Sequence, residues 1–234
     1  MRILIVTDSL GMPRGNVDIE NTWTRSFIKE YGGCFEVFTF LKSGLTSNDV
    51  ISEADQLLGL FKPDIVIFQI GIVDCVRRVL SPNVVKILSR IPIISKYTRE
   101  MIRKKHYFLT KIHELKYVGT EQFVANIEKI SYIAHKRGIV VAFIKIAGPG
   151  NALIESTYGV EEDIDLYNQI INMEVRKHSN TIFVDPYEGQ NLRDYLLEED
   201  GYHLNAKGNE LVFNSLVSML DEIRKHDASS NFEK

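Results

Sequence analysis

Cysteine is almost absent: Cys34 and Cys75 are the only two in 234 residues. Two thiols cannot supply the disulfide framework of a small secreted domain, so both are expected to be packing residues in a reducing, cytoplasmic setting. Long apolar runs are missing as well. No stretch approaches the ~18 apolar residues of a membrane span. The apolar run behind Arg2, from Ile3 to Val6, is too short for the hydrophobic region of a secretory leader. Neither sign of charge dominates: 28 Lys and Arg stand against 31 Asp and Glu, a formal charge of -3. That balance excludes the overall basicity of a nucleic-acid binder, and no nucleic-acid partner is expected. No group of His and Cys has metal-ligand spacing, so no metal and no cofactor are expected. "AGPGN" at 147–151 lacks the lysine and spacing of a phosphate loop. Nor does a repeat, a low-complexity tract or a Pro/Gly-rich linker divide the chain. One domain over 1–226 follows, with the polar "DASSNFEK" as a flexible tail over 227–234.

What is present is a regular alternation. Five short β-branched runs, "RILIV" at 2–6, "FEVFTF" at 35–40, "DIVIFQI" at 64–70, "IVVAFIKI" at 139–146 and "TIFVD" at 181–185, are separated by segments with helical spacing. Near-continuous apolar strands between helices predict a parallel sheet covered on both faces. Sites in such sheets form at the carboxyl ends of the strands. Three of those ends carry unusual polar residues: Asp8 and Ser9, then "KSGLTSND", then "GIVDC".

The interval 77–118 is surplus to a minimal alternation. Between Arg77 and Lys116 it holds 11 Lys or Arg and two acids, a local charge of +9. Ile94, Tyr97, Met101, Phe108 and Ile112 recur there at helical intervals, with Lys96, Arg99, Arg103, Lys104 and Lys111 between them. Two readings stand: a basic amphipathic lid that meets an anionic partner, or a helix packed on the core by its Met and aromatic stripe with a solvated basic face.

Near the other end, "EEDGYHLNAKG" places Asp200 and His203 three residues apart, just ahead of a helical pattern. A turn there can set the carboxylate against one imidazole nitrogen and leave the other for a serine. A serine hydroxyl needs a neighbouring base to become a nucleophile at neutral pH. His203 would be that base, Asp200 would hold its tautomer, and Ser9 would be the nucleophile.

"DSL" after the first strand, "SGLTSND" after the second, "GIVD" after the third and "DGYHLNAKG" before the last helix together resemble the SGNH/GDSL hydrolase superfamily, over about residues 1 to 225. The resemblance implies a flavodoxin-like three-layer α/β/α sandwich with a five-stranded parallel sheet, and hydrolysis or transfer of acyl groups. It also implies Ser9 as nucleophile, Gly44 as an oxyanion-hole glycine, and His203 and Asp200 as the base and its partner. "DSLGMPR" with "IVDCVRR" further resembles a bacterial branch associated with surface-polysaccharide synthesis.

The chain departs from the family pattern at Thr7, where a glycine is usual, and at Val73, where the third block normally carries an asparagine. That asparagine donates to the oxyanion and valine cannot; losing one such donor typically costs ~10²–10³ in rate. Asn48 is a substitute donor by position. Asp74 is a support for the Ser9 loop or a partner to backbone N–H groups, and Arg14, Arg77 and Arg78 are either ligands for a carboxylate or phosphate or exposed solubilising side chains.

The expected function is a serine esterase that removes an O-acyl group, chiefly O-acetyl, from a carbohydrate or another small acyl ester. Two alternatives remain: an acyltransferase with the same residues, or a silent module that binds an anionic glycan or the inner-membrane surface through residues 77–116. The expected setting is the cytoplasm, at the periphery of the inner membrane.

Overall fold

The computed structural model describes residues 1–88, 90 and 92–230, apart from the side chains of 88, 92–99 and 226–230. Five strands, β1 (Arg2–Thr7), β2 (Glu36–Leu41), β3 (Ile65–Gln69), β4 (Val140–Ile144) and β5 (Thr181–Val184), make one sheet in the order β2-β1-β3-β4-β5. Every neighbouring pair is parallel; Ile3 lies between Val37 and Ile65, and Val141 beside Val66. The expected five-stranded parallel α/β fold is what the chain adopts.

Alternation along the strands divides the core in two. Leu4 and Val6 of β1, Val66 and Phe68 of β3, and Val141 and Phe143 of β4 point to one face. There they pack against α2 (Ser47–Phe61), α6 (Thr120–Lys136) and α8 (Val160–Val175). Ile3, Ile5, Ile67, Ala142 and Ile144 point to the other, against α1 (Trp23–Tyr31) and α9 (Ala206–Ser230). Because the chain leaves β1 toward β2 on one side and then returns to β3 on the other, the end of β1 is the switch point of the sheet, where a crevice opens.

The helices start where their caps allow. At α2, Thr46 accepts from the Asp49 N–H while Asp49 accepts from the Thr46 N–H, a reciprocal capping box. Asn205 Oδ1 accepts from the Gly208 N–H at 3.0 Å and starts α9. α9 then runs through Ser230, so 227–230 are helical backbone where a tail was expected; Ala, Ser and Asp there include no Gly or Pro to stop a helix. Residues 231–234 lie outside the described residues.

α3 (Ile72–Cys75) follows β3, the surplus interval holds α4 (Pro82–Leu88) and α5 (Pro92–His113), and α7 (Asn151–Ser156) follows β4. The interval is closed at its base: the Arg78 N–H donates to the Leu115 carbonyl at 2.7 Å, and the Val118 N–H to the Asp74 carbonyl at 3.5 Å. The Met and aromatic stripe does not pack on the core. Met101, Phe108 and Ile112 are exposed, and the inward face is instead Ile102, His106, Leu109 and Thr110. Polar residues can face inward because each is partnered: His106 Nδ1–H donates to the Ser156 carbonyl at 2.7 Å, and the Thr110 hydroxyl takes the Tyr158 N–H at 3.1 Å. The stripe positions Ile94 and Tyr97, with Lys96 and Arg99, have side chains outside the described residues. Among the described residues no helix is long and apolar enough to cross a membrane.

Candidate active site

β1 ends at Thr7, and Asp8 turns the chain by accepting the Leu10 N–H at 2.8 Å, capping the short 3-10 helix Ser9–Gly11. Ser9 is thereby held at the switch point with its side chain half-buried. Its Oγ lies 2.9 Å from His203 Nε2, and His203 Nδ1 lies 2.7 Å from Asp200 Oδ2. A carboxylate can only accept, so Nδ1 carries a proton toward Asp200 and Nε2 is left to accept from the Ser9 hydroxyl. Burial pulls the Asp200 carboxyl up, but the hydrogen bonds from the His203 ring and from the N–H groups of His203 and Tyr202 outweigh it and hold the group below the usual carboxylate range. The Tyr202 ring lies against the imidazole, with centroids 4.2 Å apart.

The loop carrying Asp200 and His203 is fastened from two sides. The Leu197 N–H donates to the His203 carbonyl at 2.8 Å, and the Gly150 N–H to the Gly201 carbonyl at 2.7 Å. Gly201 has φ +70°, and a Cβ on it would sit 2.8 Å from the Leu153 backbone N, so glycine alone allows this approach. "AGPGN" is therefore the backing of the His203 loop.

Gly44, in the turn before α2, has φ +74° and is exposed. Neither its N–H nor that of Ser9 meets an acceptor among the described residues. The turn is held by a clamp that spans three elements. Asp74 Oδ1 accepts from the Ser47 N–H at 2.8 Å and the Ser47 hydroxyl at 2.6 Å. Asn126 Nδ2 donates to Ser47 Oγ and to Asn48 Oδ1, both at 2.8 Å. Of its two expected roles, Asp74 takes that of partner to a backbone N–H, that of Ser47, and so supports the Gly44 turn and not the Ser9 loop. Asn48 is tied to α6 and forms no hydrogen bond with Ser9. Val73 is buried among apolar neighbours.

Two buried carboxyls lie behind the crevice. Burial pushes Asp8 up to about 7 against the Leu10 hydrogen bond, with the Asp74 charge adding to the rise. Burial likewise raises Asp74 to about 6 against the donors of Ser47. In each, Oδ2 has no partner.

The three candidate arginines part company. Arg77 is sequestered: its guanidinium meets Asp163 at 2.7 Å and Glu114 at 2.9 Å, while Lys116 meets the other Asp163 oxygen at 2.6 Å. It anchors the surplus interval to α8 and offers nothing to a ligand. Arg78 lies over the Tyr117 ring at 5.4 Å and lines a cavity of about 480 Å³. Arg14 is exposed in the loop after Ser9, close enough for its charge to act on Tyr202.

That cavity runs from Asp200 and Tyr202 to the inner side of α4 and α5. Ile72, Val76, Leu80 and Ile102 make its apolar wall, and Arg78, Arg103, His106 and Glu199 its polar one. No group of acidic, His or Cys residues among the described ones could hold a metal ion. Ser47, Asn126, Gly150 and Gly201 were not singled out in the sequence, although Asn126 interrupts the buried stripe of Phe123, Ile127 and Ile130 and could have been noticed.

No family model matches the chain, and no curated protein matches it in sequence. Its structure is similar to the lipase/acylhydrolase from Enterococcus faecalis, with a TM-score of 0.65, 15% identity, and 94% of this chain and 95% of that one covered. The acetyl xylan esterase AlAXEase gives a TM-score of 0.64 at 15% identity, covering 94% of this chain and 99% of its own. TesA gives 0.64 at 17%, covering 94% and 98%. The chain has the fold of the SGNH/GDSL hydrolases.

Proposed function

We propose that this chain is an acyl ester hydrolase of the SGNH/GDSL type, acting on O-acyl groups, chiefly acetyl, carried by a carbohydrate. The observation that carries the reading is the continuous path from Ser9 Oγ through His203 to Asp200, at 2.9 and 2.7 Å. Ser9 Oγ attacks the acyl carbonyl carbon as its proton passes to His203 Nε2, and Asp200 stabilises the imidazolium. The oxyanion is received by the free N–H groups of Ser9 and Gly44, which work without the side-chain donor that Val73 lacks. His203 then returns the proton to the leaving alcohol. In the second half, water gives its proton to His203, attacks the Ser9 ester and releases the acid.

A carbohydrate alcohol fits the cavity beside Asp200 and Tyr202, where arginine, histidine and glutamate side chains can meet hydroxyls and the apolar wall can meet a sugar ring face. The likeness to an acetyl xylan esterase points the same way. The test is release of acetate from acetylated xylo-oligosaccharides and from a simple acetyl ester. Wild type should release acetate from both, with Ser9→Ala slower by at least ~10³. Undiminished turnover by Ser9→Ala would overturn the proposal.

A further inference from the structure

Half of the large hydrophobic residues that stand exposed among the described residues fall between 84 and 112. On α5, Met101, Phe108 and Ile112 are 61%, 60% and 56% exposed. At about 100° per residue they fall within about 40° of one another around the helix, forming a single outward ridge. Lys105 borders that ridge on one side, Lys104 and Lys111 on the other, and all three are exposed. The opposite face of α5 is accounted for, because Ile102 and Arg103 line the cavity and His106 is bonded to α7. Val84 and Ile87 of the neighbouring α4 add further exposed apolar surface.

Cations answer this ridge and acids do not. The stretch from Arg77 to Lys116 has two acids, and both are engaged: Glu114 with Arg77 and Glu100 with Lys104. Arg103 and Lys105 have no acidic partner among the described residues. An apolar ridge between rows of lysine fits an anionic bilayer, which accepts the ridge below its headgroups and the ammonium groups at them. A folded acidic protein would satisfy the lysines but leave an unusually exposed ridge to be matched residue by residue.

We propose that α5 docks this chain on an anionic membrane surface through Met101, Phe108 and Ile112, with Lys104, Lys105 and Lys111 at the headgroups. The docking is independent of the chemistry at Ser9. The other face of the same helix walls the cavity at Asp200, so one helix serves both the docking surface and the cavity.

Sedimentation with phosphatidylcholine vesicles, with and without phosphatidylglycerol, tests the proposal. Wild type and Ser9→Ala should both sediment with phosphatidylglycerol vesicles at low salt, release as salt rises, and ignore phosphatidylcholine alone. Phe108→Ser with Ile112→Ser, and separately Lys104→Gln with Lys105→Gln and Lys111→Gln, should each weaken binding by at least about tenfold. Both sets should retain the wild-type thermal unfolding, because the replaced side chains are exposed. Wild type that ignores anionic vesicles, folded variants that bind as wild type does, or capture by a soluble anionic polysaccharide in place of vesicles would overturn it.

Discussion

Beyond the ends of β1 and β3, Asp8 and Asp74 are wholly buried and take hydrogen bonds from Leu10 and Ser47, whereas along α5 Lys104 and Lys105 stand in solvent beside exposed Met101 and Phe108. Each region reverses the usual placement of charge and apolar surface. Burying a carboxyl is costly unless donors meet it, so Asp8 and Asp74 persist only because backbone and hydroxyl groups hold them. Exposing Phe and Ile is costly only when nothing covers them. The first region is held by donors from within the chain, with Oδ2 of each carboxyl left over; the second is what the docking proposed above would cover.

The widest separation between the two regions is catalytic. Ser9→Ala or His203→Ala should lower ester hydrolysis by at least ~10³, while Lys104→Gln with Lys105→Gln should leave turnover of a small soluble ester within about twofold. Steady-state rates at saturating ester read both. If the lysine variant lost activity as Ser9→Ala does, the division would collapse.

A second break is mechanical. Asp163 holds Arg77 and Lys116, both mostly buried, and Asp163→Ala leaves Lys116 without an acid and Arg77 with Glu114 alone. Denaturant unfolding should show a loss of about 3–5 kcal/mol, the scale of a broken buried ion pair. An unchanged midpoint would mean that the anchor between the surplus interval and α8 contributes nothing.

A smaller effect sharpens the first region. Asp74→Ala removes the acceptor of two Ser47 donors and should cost about 1.5–3 kcal/mol of stability. It should also lower kcat more than it raises KM, because the Gly44 turn it holds serves the reaction and not the alcohol. A pure KM effect would place Asp74 on the substrate side instead.

A last test concerns pH dependence. Asp8 is raised to about 7 from the ordinary 3.8, so between those values the folded chain binds more protons than the unfolded one. Stability from this group therefore falls as pH rises from about 4 to about 7 and is level above that. Asp8→Asn should keep the Leu10 hydrogen bond through its carbonyl and flatten that slope in thermal unfolding followed across pH. A variant with the wild-type slope would show that Asp8 is ionised throughout.

The parallel sheet and the residues around Ser9 were legible because their signals are local. An apolar run that breaks at Asp8 and Ser9, and an acid three residues before a histidine, each occupy a few consecutive positions. The Ser47, Asp74 and Asn126 clamp was not legible as a unit, since it joins residues as far as 79 positions apart. Arg77 and Arg78 could not be told apart for a similar reason: Asp163, which claims the first, comes 86 residues later. The face of α5 stayed open between two readings because helical spacing reveals a stripe without revealing what it meets. His106 and Thr110 turn inward once Ser156 and Tyr158 supply backbone partners, and that leaves the apolar stripe outside.

The central claim is that Ser9 is an activated nucleophile, and intact mass after treatment with a fluorophosphonate tests it without any assumption about substrate. One adduct on wild type, with none on Ser9→Ala and little on His203→Ala, is the expected result. An unmodified wild type, or an adduct that persists in Ser9→Ala, would contradict it.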